Sequence, residues 1–221
     1  MQALNAPAHI AGRYTSRGSY RVACSTGAVT TIAAGTSTAG QLLNFRNPST
    51  SIKCFVKRVA AKFMLTTAYG TAQETGCDLI LAHSFTVNGT NGTAIDVGST
   101  VADTGNLYSG QPTSVLTAGC VRTATSAVIT AGTHTLNGAP IAILSGWSGA
   151  IGDMVPGLAR GVPAGDGYGT LFDADLSAHR APIVLGQDQG FIVRNLVLMG
   201  ATGVGRWDFL IEWDEGVLAD A

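Results

Sequence analysis

Apolar and polar side chains alternate with a period of two near the end of the chain, and no other feature constrains the fold as strongly. The run RWDFLIEWD, residues 206–214, places four apolar side chains on one face of an extended strand. That face carries Trp207, Phe209, Ile211 and Trp213, and the opposite face carries Asp208, Leu210, Glu212 and Asp214. The pattern predicts a half-buried strand with its tryptophans in the core and its acids in solvent.

A second strand is predicted in the preceding run FIVRNLVLM, residues 191–199, which is rich in side chains that suit a pleated surface. The segment MGATGVGR, residues 199–206, joins the two runs and contains three glycines. Glycines between two apolar runs are typical of a hairpin connection. We therefore expect these strands to pair as an antiparallel hairpin that closes the chain.

Residues 78–87 alternate in the same way. One face carries Leu79, Leu81, His83, Phe85 and Val87, so we expect His83 to be a core histidine. The following segment NGTNGT, residues 88–93, tolerates positive φ and predicts a hairpin turn. Its N-x-T sequons at Asn88 and Asn91 leave glycosylation as the alternative, and we prefer the turn.

The stretch at residues 51–69 allows both a helical stripe and a strand. As a strand it needs one shift at Lys57-Arg58, the kind of shift that a β-bulge provides. The apolar residues would then share one face: Ile52, Cys54, Val56, Val59, Ala61, Phe63 and Leu65. A strand at residues 42–46 and the turn at 47–50 precede it, so we interpret the stretch as a bulged strand.

Short alternating segments separated by turns, with no long amphipathic helix, predict an all-β fold, specifically an antiparallel jelly-roll β-sandwich. Residues 1–39 are rich in Ala, Gly, Ser and Thr, so we expect an extended N-terminal arm rather than a core element. Residues 40–216 would form the jelly roll, with long central loops that include 153–169. Residues 217–221 would be a C-terminal tail.

The chain of 221 residues contains few charges, 13 basic and 14 acidic, which give a net charge of -1. This balance lacks the positive field that attracts a phosphate backbone, so we expect no nucleic acid partner. No apolar run approaches the roughly 20 residues that a membrane helix needs. The first residues also lack the apolar core of a secretion signal, and we expect no membrane partner.

The four cysteines are widely separated and form no C-x-x-C pair of a zinc or redox site. We expect Cys24, Cys54, Cys77 and Cys120 to be buried reduced thiols, with a disulfide framework as the alternative.

Enzyme motifs are incomplete. SGWSG, residues 145–149, is one residue short of the G-x-S-x-G nucleophile elbow, and we interpret it as a glycine-rich turn. GATGVG, residues 200–205, has its glycines at the wrong offsets for a dinucleotide site. We therefore expect no catalytic residue and no cofactor.

One polar cluster has donor atoms of the kind that bind metal ions. Asp173, Asp175 and His179 could approach a divalent cation, but aspartates in such loops commonly bond to their own backbone. We expect no metal site there. His9 and His134 have no evident partner, so no Ser-His-Asp triad can be assigned.

Two further groups have a functional and a structural interpretation. Paired carboxylates such as Asp208 and Glu212 occur in glycosidases, but acids on one strand face are ordinarily solubilising. Trp147 lies in the Gly-Ser segment and is the one tryptophan that we keep as a candidate for stacking on a sugar.

Residues 41–63 and 182–215 resemble structural proteins of tailed-bacteriophage virions. The similar segments are LLNFRNP, GQDQGFIVR, the terminal EWDE at 212–215 and LILAHSF at 79–85. The resemblance covers about half of the chain and carries no functional residue with it. It implies a jelly-roll subunit that forms a homo-oligomer, with a trimer as the expected order, in a virion assembled in the bacterial cytoplasm.

Three functions remain open on this basis. The first is a non-enzymatic capsid decoration or cement subunit, whose partners are its own copies and other virion proteins such as the major capsid protein. The second is a tail or head-fibre module that binds a host glycan. The third, which we favour least, is an enzyme on the same sandwich.

Overall fold

The computed structural model describes residues 14–30, 40–97, 111–125, 129–130, 132–152, 154–155, 169–175, 180–200 and 202–218. These residues form strands and loops and contain no helix. In chain order the strands are β1 (Tyr14–Ser25), β2 (Val29–Thr30), β3 (Gln41–Asn47), β4 (Lys53–Thr67), β5 (Gln73–Val87), β6 (Thr93–Ile95), β7 (Val121–Thr123), β8 (Thr133–Leu136), β9 (Ala142–Ser148), β10 (Met154–Val155), β11 (Gly169–Asp173), β12 (Ile183–Leu185), β13 (Gln189–Asn195) and β14 (Val204–Leu218).

The strands form two antiparallel sheets. The first sheet has β14 at its centre, with β1 and β2 on one side, β4 on the other, and β10, β11 and β12 along the far edge of β4. The second sheet runs in the order β6, β7, β3, β13, β5, with β8 and β9 along the far edge of β5. The predicted all-β sandwich is confirmed, whereas the jelly-roll order of its strands stays a prediction.

Aromatic side chains from both sheets meet in the core. Phe45 of β3 stacks on Phe191 of β13 with ring centroids 4.9 Å apart, and Trp213 of β14 packs edge-on against Phe45 at 5.4 Å. Trp207 and Phe209 are fully buried on the same face of β14 as Trp213. The predicted core face of the last strand is therefore confirmed. Burial of such large side chains is the main force that holds the sheets together.

The bulged strand is confirmed as β4. Arg58 pairs with Glu212 and Val56 pairs with Trp213, which leaves Lys57 as the extra residue. The core cluster contains side chains from both sides of this bulge, including Val56 and Val59. The bulge thus keeps one face of a 15-residue strand in the core.

The two predicted hairpins are wrong. β13 belongs to the second sheet and β14 to the first, so the chain crosses between the sheets instead of forming a hairpin. Residues 88–93 do contain positive φ, at Asn91 (59°) and Gly92 (65°), yet β6 pairs with β7 and not with β5. Turn residues report a change of direction, but they do not specify which sheet the next strand joins.

The expected arm contains a core strand. β1 pairs with β14 over almost its whole length, from Tyr14 opposite Leu218 to Ser25 opposite Asp208. Tyr20 is fully buried and stacks on Trp213 at 5.6 Å. The same pairing places Val217 and Leu218, expected in the tail, at the end of β14. Residues 1–13 and 31–39 lie outside the described residues.

Among the described residues, no helix has the length and apolar character needed to span a membrane.

Candidate interaction surface

Strand β9 lies at the edge of the second sheet. It pairs with β5 from Ser148 opposite Gln73 to Ala142 opposite Leu79, and no other described strand pairs with it. Ala142 and Leu144 pack against the core cluster, so the residues between them project from the opposite face. One row of β9 side chains is therefore not covered by any strand that the structure describes.

That row is apolar and exposed. Relative exposure is 45% for Ile141, 59% for Ile143 and 73% for Trp147, and Ile151 in the following turn is 71% exposed. We call Ile141, Ile143, Ser145 and Trp147 the β9 stripe. Residues 141–152 contain no charged side chain. Edge strands normally carry charge or proline that discourages association, and residues 141–152 contain neither.

The SGWSG segment is part of this strand, so the expectation of a glycine-rich turn is wrong. Gly146 pairs with Thr75 and Ser148 pairs with Gln73 as ordinary ladder residues. The Ser148 hydroxyl is buried and has no hydrogen-bond partner in the part of the chain that the structure describes. Trp147 accordingly lies on a strand rather than in a loop, which fixes the direction of its indole.

The residues of β5 beside the stripe are small or charged. Trp147 lies opposite Glu74, Ser145 opposite Gly76, and Ile143 opposite Asp78. Asp78 is buried, and Arg194 of β13 donates hydrogen bonds to both of its carboxylate oxygens, with Nε 2.9 Å from Oδ1. These bonds offset the loss of water around the carboxylate. Glu74 is exposed. The smallest side chains, Ser145 and Gly76, thus lie at the centre of the stripe. The larger apolar side chains of Ile143 and Trp147 lie on either side of them.

A groove of about 280 Å³ opens between the sheets at the β12 edge. Its walls include His83 and Asn137 on one side and Ile183 and Val184 on the other.

His83 is exposed, so its assignment to the core is wrong. Ser84 has a φ of 52°, and this left-handed residue interrupts the alternation, so that Phe85 joins the cluster of Ile80 and Ala82 on the outer face.

The acids of the last strand are not solvated as expected. Asp208 and Asp214 are buried. Asp208 accepts from Ser25 Oγ at 2.6 Å and pairs with Arg206 Nε at 2.9 Å, and Asp214 pairs with Lys57 Nζ at 2.7 Å. Cross-strand pairing of this kind ties β1 and β4 to β14. We read these carboxylates as structural.

Glu215, the next acid of the last strand, is more enclosed than Asp208 and Asp214. It is fully buried and accepts hydrogen bonds from Val115 N–H (3.0 Å), the Ser114 hydroxyl, Trp213 Nε1 (3.3 Å) and Arg17 (3.0 Å). The Tyr20 hydroxyl donates to Pro112 O nearby, and burial together with the Glu215 charge raises the pKa of Tyr20 to about 12. The cluster fastens residues 111–116 to the end of the first sheet.

Asp173, Asp175 and His179, the residues with metal-binding donor atoms, are not brought together in the described part of the chain. Asp173 is exposed at the end of β11, Asp175 lies 3.8 Å from Arg180, and His179 lies outside the described residues. The described residues contain no group of three or more potential metal ligands.

His134 packs against the Phe85 ring at 4.8 Å, and burial lowers its pKa. His9 lies outside the described residues.

All four cysteines are free thiols, and Cys54, Cys77 and Cys120 are buried. The expected burial holds for Cys54, Cys77 and Cys120, whereas Cys24 is half-buried. Burial raises the pKa of Cys24 to about 12 and raises the pKa values of Cys54 and Cys77 well above the usual range. These thiols are therefore poor nucleophiles.

No protein-family model, curated protein or solved structure matches the chain. The resemblance of residues 41–63 and 182–215 to phage virion proteins therefore stays a prediction from the sequence.

Proposed function

We propose that this protein is a non-enzymatic structural subunit of a virion, where it decorates and stabilises the capsid shell. The observation that carries the proposal is the β9 stripe, an exposed apolar row on an edge strand with no charged residue from 141 to 152. Exposed patches of this kind mark surfaces that a partner covers.

The composition supports an assembling subunit. Tryptophan is enriched among the residues that dominate interface energies, and charged side chains are depleted from interface cores. Trp147 supplies the first feature, and the low overall charge supplies the second. The assignment to a virion capsid rests on the resemblance of residues 41–63 and 182–215 to phage structural proteins.

Reconstitution on purified shells tests this function. Shells that lack the subunit should lose integrity on heating, and addition of the protein should restore it, as measured by release of packaged contents. Ile143→Glu should weaken binding to the shell, since it places a charge in the middle of the stripe and disrupts the surface through which the subunits assemble. Val87→Glu is the matched control, because Val87 is 53% exposed and lies at the far end of β5. Shells that neither bind the wild-type protein nor gain stability from it would exclude the role.

Glycan binding is the second candidate, favoured by the exposure of the Trp147 indole with Glu74 opposite it. An aromatic face beside a polar acceptor is a common arrangement for a sugar ring. Adsorption to host cells should then persist in Trp147→Phe and fail in Trp147→Ala. Equal adsorption by both variants would remove this candidate.

A further inference from the structure

We infer that the β9 stripe is covered by the β9 stripe of a second copy of this chain, arranged around a two-fold axis at Ser145. The inference rests on the proposed structural role and deepens it, because it names the partner of that surface. A two-fold contact uses the same patch on both copies, so the patch must be complementary to itself.

The spacing of the stripe meets this condition. Ile143 and Trp147 lie two residues to either side of Ser145, about 7 Å along the strand. A two-fold axis at Ser145 makes the two strands antiparallel and exchanges these positions. Each indole then packs on Ile143 of the other copy, and the two small Ser145 side chains meet at the centre. The large groups at the ends set the separation of the two strands, and the small group at the axis avoids a clash at the centre.

The charge pattern permits the same arrangement. A two-fold contact brings a charge that lies close to its axis near its own copy, and like charges at close range are unfavourable. The stripe has no charge to repeat. Asp78, which lies opposite Ile143, is neutralised by Arg194. Glu74 lies on the β5 side of Trp147, away from the axis. The second copy therefore meets only apolar and hydroxyl groups along the stripe.

The available area is sufficient for a modest dimer. Trp147, at 73% exposure, offers on the order of 150 Å². Ile141, Ile143 and Ile151 add about 100 Å² each, so full burial of these four side chains on both copies would remove about 900 Å², just below the roughly 1,000 Å² of a specific interface. A trimer, the order expected from the resemblance, requires two different patches on each subunit, because a three-fold ring is heterologous. One self-complementary stripe favours a dimer instead.

Sedimentation equilibrium of the full chain tests the inference. The wild-type protein should be a dimer, Ile143→Glu should lower the association constant at least 100-fold, and Val87→Glu should leave it unchanged. Far-ultraviolet circular dichroism of each variant verifies that the sheets are intact. A wild-type protein that remains monomeric at high micromolar concentration, or a dimer that Ile143→Glu does not weaken, would overturn the inference.

A cysteine cross-link locates the axis. Ser145→Cys should give a covalent dimer with a short bis-maleimide cross-linker, because the axis brings the two residues to within about 10 Å of each other. Thr133→Cys, exposed on β8, should remain monomeric on a denaturing gel. The native cysteines are a small background, since three of the four are buried. Failure of Ser145→Cys to cross-link in a dimer would contradict the proposed axis.

The shell experiment separates this inference from the proposed function. A monomer that binds and stabilises shells would disprove the two-fold contact and keep the structural role. A dimer with a cross-link at position 145 that binds no shell would keep the contact and disprove the capsid role. Loss of dimerisation when a glycan is added would assign the stripe to sugar binding and would also overturn the inference.

Discussion

Glu215 is a buried carboxylate on the face of β14 that otherwise carries the tryptophans of the core. The alternation that places Trp213 on the core face places Glu215 there as well, one step further along. A carboxylate in that position needs donors, and residues 17, 114, 115 and 213 provide them. The sequence therefore contained the signal that Glu215 is buried, but not the identity of the distant donors.

Substitution of Glu215 should be strongly destabilising. Glu215→Ala leaves several enclosed donors without an acceptor, so the free energy of unfolding should fall by about 3 kcal/mol. Glu212→Gln is the matched control on the same strand, because Glu212 pairs with the exposed Arg21. It should change stability by less than about 1 kcal/mol. Urea denaturation measures both variants, and equal effects would show that the cluster does not hold the end of the sheet.

At the scale of the element, the sequence predicted strands better than it predicted their partners. The bulge in β4 was predictable because the apolar period slips by one residue at Lys57, which is a local signal. Strand β1 was missed because only its inward residues, such as Tyr20 and Val22, are large and apolar. The pairing of β13 with β5 and β3 was not predictable, since hydrogen-bonding partners distant in sequence leave no mark in the pattern of either strand.

Deletion of Lys57 tests whether the bulge is only a register correction. Without Lys57, residues 54–65 alternate without a break, so the core face of β4 is preserved. The cost should be limited to the ion pair with Asp214 and one backbone hydrogen bond to Ala174, about 1–2 kcal/mol. Deletion of Lys62 is the control, because it moves the following core residues to the opposite face and should prevent folding. Thermal unfolding followed by circular dichroism distinguishes them, and equal tolerance of both deletions would contradict this interpretation.

At the scale of the whole molecule, the sandwich excludes water from groups that ionise in alkaline solution. The two sheets enclose Cys54, Cys77 and the phenol of Tyr20, and Cys24 lies beside them on β1. Composition and alternation predicted the two-layer architecture, because an antiparallel sheet must bury one face. They predicted that the cysteines are buried but not how far burial shifts each thiol. The raised pKa values of the cysteines follow from the loss of water around them when the sheets pack.

Stability should therefore decrease at alkaline pH. The folded-state pKa values of Cys24 and Tyr20 are raised to about 12, and those of Cys54 and Cys77 are also raised, whereas unfolded thiols ionise near 8.5 and an unfolded tyrosine near 10. The unfolded chain thus releases protons that the folded chain retains, so stability is constant up to about pH 8 and is lost progressively up to about pH 12. Each group contributes a slope of about 1.4 kcal/mol per pH unit once its unfolded form has ionised.

Removal of one thiol isolates this effect. Cys77→Ala should reduce the slope of unfolding free energy against pH between about 9.5 and 11. The reduction should equal the contribution of one ionising group, because the variant has one fewer thiol to ionise on unfolding. Leu79→Ala, two residues along the same buried strand, removes a side chain of the core without removing an ionisable group. It should lower stability at every pH and leave the slope unchanged. Urea denaturation at each pH gives these slopes. A slope that Cys77→Ala does not alter would mean that this thiol ionises equally in both states and that the sheets do not shield it from water.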